Sequence, residues 1–365
     1  IFSAGFWQPL YNSNHFDREK IGGFGEELVS TIAISWQPAW RVGTVCWLLA
    51  AVLVMVAGRR YMEEFVAWVS IHKLPEGRLR RSFLATAIAL TTLVSVVLSF
   101  NFLALAFTRS EAVDSDVQEY VARLVQLSIT SGLIAGLGRA FLSTRRPSWR
   151  LANISNRIAL AMKPFPTIIA SLVFVFQALE SFNYIIGTSV NTTVFGNGLT
   201  ALLIGVFAVI IVMRISQVRR RVHQDDSSEQ ERSVVFSLIE LALLITGMTI
   251  LLSLAIGYVT FGRFVSYEVV WVGILFSAFY LLSRLASDSC EAIFSTSNAC
   301  GRRVQCALNI HLLYLYQIFT LLAALLNSCL VLILILALLK GTINPSSPAE
   351  MLLQAIGFWG GKGLA

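Results

Sequence analysis

Chemistry in this chain would have to come from ionisable side chains embedded in apolar runs, and three qualify: Arg123, Glu240 and Glu268. A charge at membrane depth is expensive, and it persists where it pairs, snorkels or lines a pathway for an ion or substrate. Each also has a plain structural reading. Arg123 follows Glu119 by one helical turn, so the two can pair. Glu240 stands within two turns of the end of its run and Glu268 within one turn of its own, close enough to snorkel. The four histidines, His15, His72, His223 and His311, fall in separate regions, and the five cysteines, Cys46, Cys290, Cys300, Cys306 and Cys329, make no CxxC pair. Neither a zinc pattern nor a disulfide framework is indicated. No nucleophile elbow, phosphate loop, HExxH or paired-carboxylate motif occurs. The pattern implies no metal and no cofactor, and it argues against an enzyme.

A second concentration of charge is basic. Arg145, Arg146, Arg150, Arg157 and Lys163 lie between two apolar runs, together with Trp149 and the prolines at 147, 164 and 166. Proline removes a backbone donor and clashes with the preceding turn, so this stretch is predicted to be a bent hinge. Arg59 and Arg60 close the first apolar run, and Arg219, Arg220 and Arg221 the fifth. Such blocks set membrane orientation and can meet anionic headgroups. Gly132 and Gly136 form a GxxxG that allows a neighbouring helix to approach closely. Asn191-Thr-Thr193 is a formal glycosylation sequon, inert in a bacterium.

These residues are held by a chain that is 56% hydrophobic and only 13% charged, with a mean hydropathy of +0.71. Soluble domains carry about a quarter charged residues, so this is an integral membrane protein. Short alternating segments are absent, which selects helices over a barrel. The fold class is all-α: a polytopic bundle of eight spans with interfacial amphipathic helices. The spans are read at residues 42–58, 83–107, 117–142, 158–179, 198–215, 234–261, 264–285 and 310–339. Gly262 and Arg263 are the expected turn between the sixth and seventh, and residues 180–197 the expected loop after the fourth. Met62, Phe65, Val66 and Val69 recur at helical spacing within 61–72, which predicts an amphipathic helix along the interface. Glu119, Arg123, Gln126 and Thr130 make one polar stripe on the third span.

Loops after the odd spans are rich in Lys and Arg, whereas those after the even spans hold Arg109, nothing and Arg263. The positive-inside rule then places both ends of the chain outside. The net charge of +7 thus reflects orientation and not nucleic-acid binding. Three regions follow: an interfacial segment at 1–40, the eight-helix region at 41–340 and an outer connector at 341–365. The chain begins at Ile1 and ends at Gly-Gly-Lys-Gly-Leu-Ala365, which reads as part of a longer polypeptide.

Arg146-Pro-Ser-Trp-Arg-Leu151, Pro164-Phe-Pro166, Gly257-Tyr-Val-Thr-Phe-Gly-Arg-Phe264, Trp271 and Leu281-Leu-Ser-Arg-Leu285 carry a family resemblance. Together they resemble the amino-terminal membrane region of the small-conductance mechanosensitive channel (MscS) superfamily, in its YbiO-like branch. The resemblance implies a bacterial inner-membrane protein, a homo-heptamer with membrane lipids as partners, and protection against hypoosmotic shock. Lipid contact and tension coupling are expected at Arg59, Arg60, Arg145, Arg146, Trp149, Arg150, Pro164 and Pro166. The family's three-helix pore unit and cytoplasmic vestibule have no counterpart in these residues and are expected beyond residue 365. A secondary transporter is the alternative, needing paired helix breaks and midplane polar groups. A membrane-embedded enzyme is a third, needing clustered His, Asp or Glu.

Overall fold

The structure is a computed structural model that describes residues 4–73, 77–110, 112–143, 150–151, 156–225, 234–294 and 312–343. All of its regular elements are helices: α1 (Ala4–Ser35), α2 (Pro38–Leu53), α3 (Arg59–Lys73), α4 (Arg78–Phe107), α5 (Ser115–Leu142), α6 (Asn156–Met162), α7 (Phe165–Ile186), α8 (Val190–Asp225), α9 (Val234–Ile256), α10 (Val259–Phe294) and α11 (Leu312–Ile343). Eight segments are long and apolar enough to cross a membrane, matching the eight expected from sequence. Helices satisfy every backbone group within the segment, which is what a hydrocarbon surround demands.

The first span, Pro38–His72, joins α2 to α3 through one wide π turn at Val54–Gly58. Arg59 donates its backbone N–H to Val54, five residues back. The extra residue has a geometric effect. Thr44 and Ala51 are the buried positions of α2, while Ala67 and Ser70 are those of α3. At about 100° per residue these two pairs would face different ways on a regular helix. One residue absorbed by the π turn rotates them into a single stripe, and both halves pack on α4. The segment 61–72 is helical, as its periodicity predicts, but it prolongs the first span without a break instead of forming the separate interfacial helix expected.

Where the chain turns, glycine decides the position. Gly187 and Gly257 have φ of 63° and 106°, a region that costs an L side chain but not glycine. Each ends its helix with a pair of backbone bonds: Thr188 N–H to Asn183 C=O at 3.1 Å and Gly187 to Tyr184 at 3.3 Å; Tyr258 to Ser253 at 2.8 Å and Gly257 to Leu254 at 3.1 Å. This is the Schellman arrangement. Two expected boundaries are corrected by it. The sixth and seventh spans part at Gly257 and not at Gly262–Arg263, which lie inside α10. The stretch 180–197 is mostly helix, because Phe182, Ile185 and Ile186 pack against Phe24, Val113 and Val117.

At the hinge, α6 stops at Met162 and α7 starts at Phe165, with Pro164 as N-cap and Pro166 in the first turn. Proline costs no hydrogen bond there, since the first N–H groups of a helix have no intrahelical partner. The helix is therefore interrupted at the prolines, where the sequence places the hinge. Arg145, Arg146 and Trp149 lie outside the described residues, as does the segment 344–365.

The bundle has two apolar centres. Ala85, Leu137, Ala140, Ile274 and Leu281 join α4, α5 and α10. Ala201, Ile250, Leu254 and Val259 join α8, α9 and α10. The edges are thinner. The α2–α3 helix leans on α4, and α11 leans on α10. No residue of the apolar window Thr320–Leu339 in α11 is buried.

Candidate functional site

The three intramembrane charges do not converge on one another. Arg123 donates to Glu119 at 2.8 Å and lies 4.6 Å from the centre of the Tyr184 ring. Glu240 is half-buried on α9 and Glu268 half-buried on α10. Of the polar stripe on α5, Gln126 is exposed while Thr130 is wholly buried.

A different cluster joins two spans. On α7, Glu180 accepts hydrogen bonds from Arg263 and, at 2.6 Å, from the Tyr267 hydroxyl. The Arg263 guanidinium also lies 5.4 Å from the Tyr267 ring. Sequence reading assigned Glu180 and Arg263 to loops, and so missed the pair. Their separation of 83 residues gives no local signal. A second interhelical knot ties α11 to α10, where Ser283 donates to Asn327 at 2.7 Å and the Asn327 amide donates to Ser287 at 3.2 Å.

On the side predicted to be external, α1 lies across the ends of α5, α7 and α8. Asp17, only 3% exposed, accepts from the Ser189 N–H at 2.9 Å, the Ser189 hydroxyl at 2.6 Å and the Thr192 hydroxyl. These groups form the first turn of α8, so a carboxylate sits at a helix N-terminus. Lys20 donates to the Gly187 carbonyl at 2.7 Å, placing a cation at the C-terminus of α7. Desolvation pushes the Asp17 carboxyl up, but the bonds from Ser189 and Thr192 and the charge of Lys20 outweigh it and hold it below the usual range. Glu27, ten residues on, goes the other way. Desolvation, then the charges of Asp114 and Asp116, raise it. Phe24 completes the docking against Tyr120 and Phe182, edge to face at 5.8 and 5.4 Å.

Close packing at the centre depends on glycine. A Cβ at Gly136 would lie 2.6 Å from the Ala89 carbonyl oxygen, and one at Gly132 would lie 3.1 Å from Leu93. The GxxxG therefore faces α4. Gly138, two residues on, faces the hinge instead. A Cβ there would lie 2.2 Å from Cβ of Pro166. Glu63, at the start of α3, accepts from Arg139 on α5 at 2.6 Å and fastens the long first helix to this group. Arg59 is half-buried, Arg60 exposed and Arg150 half-buried.

Beside the hinge, α5, α7, α8, α9 and α10 enclose a partly open cavity of about 290 Å³. Its walls are apolar apart from Ser277, and they include Pro166, Gly138 and Gly273. Toward the other end of the same junction, Thr130, Gln177 and Trp271 are at most 2% exposed. The Thr130 hydroxyl, both amide atoms of Gln177 and the Trp271 N–H have no hydrogen-bond partner. Gln177 has no signal in the sequence, and Trp271 enters there only within the family-like motif, because a lone polar residue in an apolar run does not announce which way it points.

Among the described residues no three His, Cys, Asp or Glu side chains come together as metal ligands. Cys46, Cys290 and Cys329 are unbonded, while Cys300 and Cys306 lie outside the described residues. What the arrangement offers chemically is apolar contact along its helices and an apolar cavity beside the hinge. No family model, curated protein or solved structure matches the chain.

Proposed function

We propose that this chain is the transmembrane sensor and scaffold of a mechanosensitive channel subunit, working as a homo-heptamer in the bacterial inner membrane. The observation that carries the reading is the large lipid-facing area of its edge helices. Along the first span Val42, Leu49, Val52, Tyr61 and Phe65 are each more than half exposed, and α11 buries no residue of its apolar window. Bilayer tension favours whichever state has the larger in-plane area, and its leverage is the difference in free energy between the two states. Helices that meet lipid on most sides and the bundle on one transmit that difference. The kinked hinge at Pro164 and Pro166, wedged against α5, is where a change of area would be absorbed. The family-like motifs at the hinge and on α10 support the same reading, and the local pairing of Arg123 favours it over a transport pathway. The test is expression of the full-length protein in cells lacking such channels, followed by osmotic downshock and patch recording. Survival with a tension-gated current is expected; the absence of any such current would overturn the proposal.

A further inference from the structure

The cavity beside the hinge sits at a definite depth. On α5 its wall runs from Ile134 to Phe141, near the end of a span that closes at Leu142, and on α7 it starts at Pro166, in the first turn. Both ends belong to the cation-rich side of the chain. At that depth the surround is hydrocarbon, so water does not fill an apolar space. Left empty, the walls would lose their dispersion contacts on one side. A volume of about 290 Å³ is many times the roughly 10–15 Å³ that one water needs, and leaves room for a run of several methylene groups. An acyl chain fits that description.

Just beyond the walls stand two exposed cations. Lys163 lies three residues before Pro166, at the α6–α7 break, and Arg214 lies three residues after Ile211 on α8. Three residues correspond to about 4.5 Å along α8, which sets Arg214 at headgroup level when the wall is at chain level, and Lys163 precedes the first turn of α7 on the same side. Flexible basic side chains reach phosphate from such positions.

We propose that this cavity binds one phospholipid of the cation-rich leaflet, with an acyl chain between α5, α7, α8 and α10 and the phosphate against Lys163 and Arg214. The site rests on the transmembrane reading and is independent of channel activity. Gly138, Ala208, Gly273 and Ser277 are the small residues in an otherwise bulky apolar wall, and they leave room in it. A Cβ on Gly273 would meet nothing within 4 Å, so a larger side chain there enters the cavity and not a neighbouring helix.

The full chain, purified in mild detergent, would be stripped of lipid and titrated with dioleoyl phosphatidylglycerol or with oleate, with bound ligand counted by native mass spectrometry. One tightly held phosphatidylglycerol per chain is expected, with oleate at least tenfold weaker. Gly273→Leu should abolish that site while leaving thermal melting unchanged or raised, and Lys163→Gln with Arg214→Gln should weaken phosphatidylglycerol about tenfold. Should Gly273→Leu fail to fold, Ser277→Phe fills the same space from the next turn. A diazirine-bearing phospholipid on the unaltered chain gives an independent measurement, expected to label Leu172, Phe207 or Val270. Labelling confined to other helices would overturn the proposal, as would full binding by both filled variants. Equal binding of oleate, insensitive to the loss of Lys163 and Arg214, would overturn it in favour of a free fatty acid.

Discussion

Gly138 packs directly against the Pro166 ring: a Cβ on the first would lie 2.2 Å from Cβ of the second. The hinge proline is thereby seated in a notch that only glycine provides. Gly138→Ala should cost about 1–3 kcal/mol, the usual price of overpacking, and Gly136→Ala a similar amount against the Ala89 carbonyl. Gly273→Ala meets open space and should be neutral. Thermal melting of the three variants in one detergent ranks them; equal melting would show that α5 is free to shift.

Glu180 and Arg263 should behave as a unit. Removing one partner leaves a charge unpaired within the membrane, so Glu180→Leu or Arg263→Met alone should destabilise by about 3–5 kcal/mol. The double variant should recover most of that loss, because the desolvation of both charges disappears together. A double-mutant cycle on unfolding free energies measures the coupling; additive losses would show that the contact contributes nothing.

Attachment of α1 should depend on pH through two carboxyls of opposite sign. Asp17 has a lowered pKa in the folded chain, so its contribution is complete above its ordinary value of 3.8 and is lost as pH falls through the lowered one. Glu27 has a raised pKa, so folding carries no penalty from it below its ordinary value of 4.5 and acquires one as pH rises through the raised value. Glu27→Gln should strengthen α1 docking at neutral pH, and Asp17→Asn should weaken it. Hydrogen exchange of α1, corrected for intrinsic rates between about pH 3 and pH 8, reports both; parallel pH profiles for the two variants would contradict the assignment.

Gln177 offers a gain of stability. Its amide is buried and unpartnered, and a buried polar group left unsatisfied costs about 1–3 kcal/mol. Gln177→Leu keeps the volume and removes the polar atoms, so a rise in melting temperature is expected. A fall would mean that the amide finds a partner in the bilayer-embedded protein.

Apolar run length and proline placement are strong local signals, which is why the eight spans and the bend at Pro164–Pro166 could be read from sequence. Helix ends were harder. Phe182, Ile185 and Ile186 sit beside Asn and Gly and look like loop, yet they become helical by packing on Phe24, a contact 158 residues away. The Asp17 clamp on Ser189 and Thr192 and the Glu180–Arg263 pair are invisible for the same reason: charge assigned to a loop says nothing of the loop it will meet. Gly132 and Gly136 announced close packing, while their partner α4 emerged only in three dimensions.

The wide turn at Val54–Gly58 makes the first span an indexed shaft. Winding it into regular helix with all five residues kept would rotate everything beyond it by about 100°. Ala67 and Ser70 would swing away from α4, Glu63 would leave Arg139, and the stacked rings of Phe65 and Trp68 would come round toward the bundle. Deleting one of the five residues, by contrast, leaves a regular helix whose two halves still face α4 together, so the turn stores one residue in excess of what the facing needs.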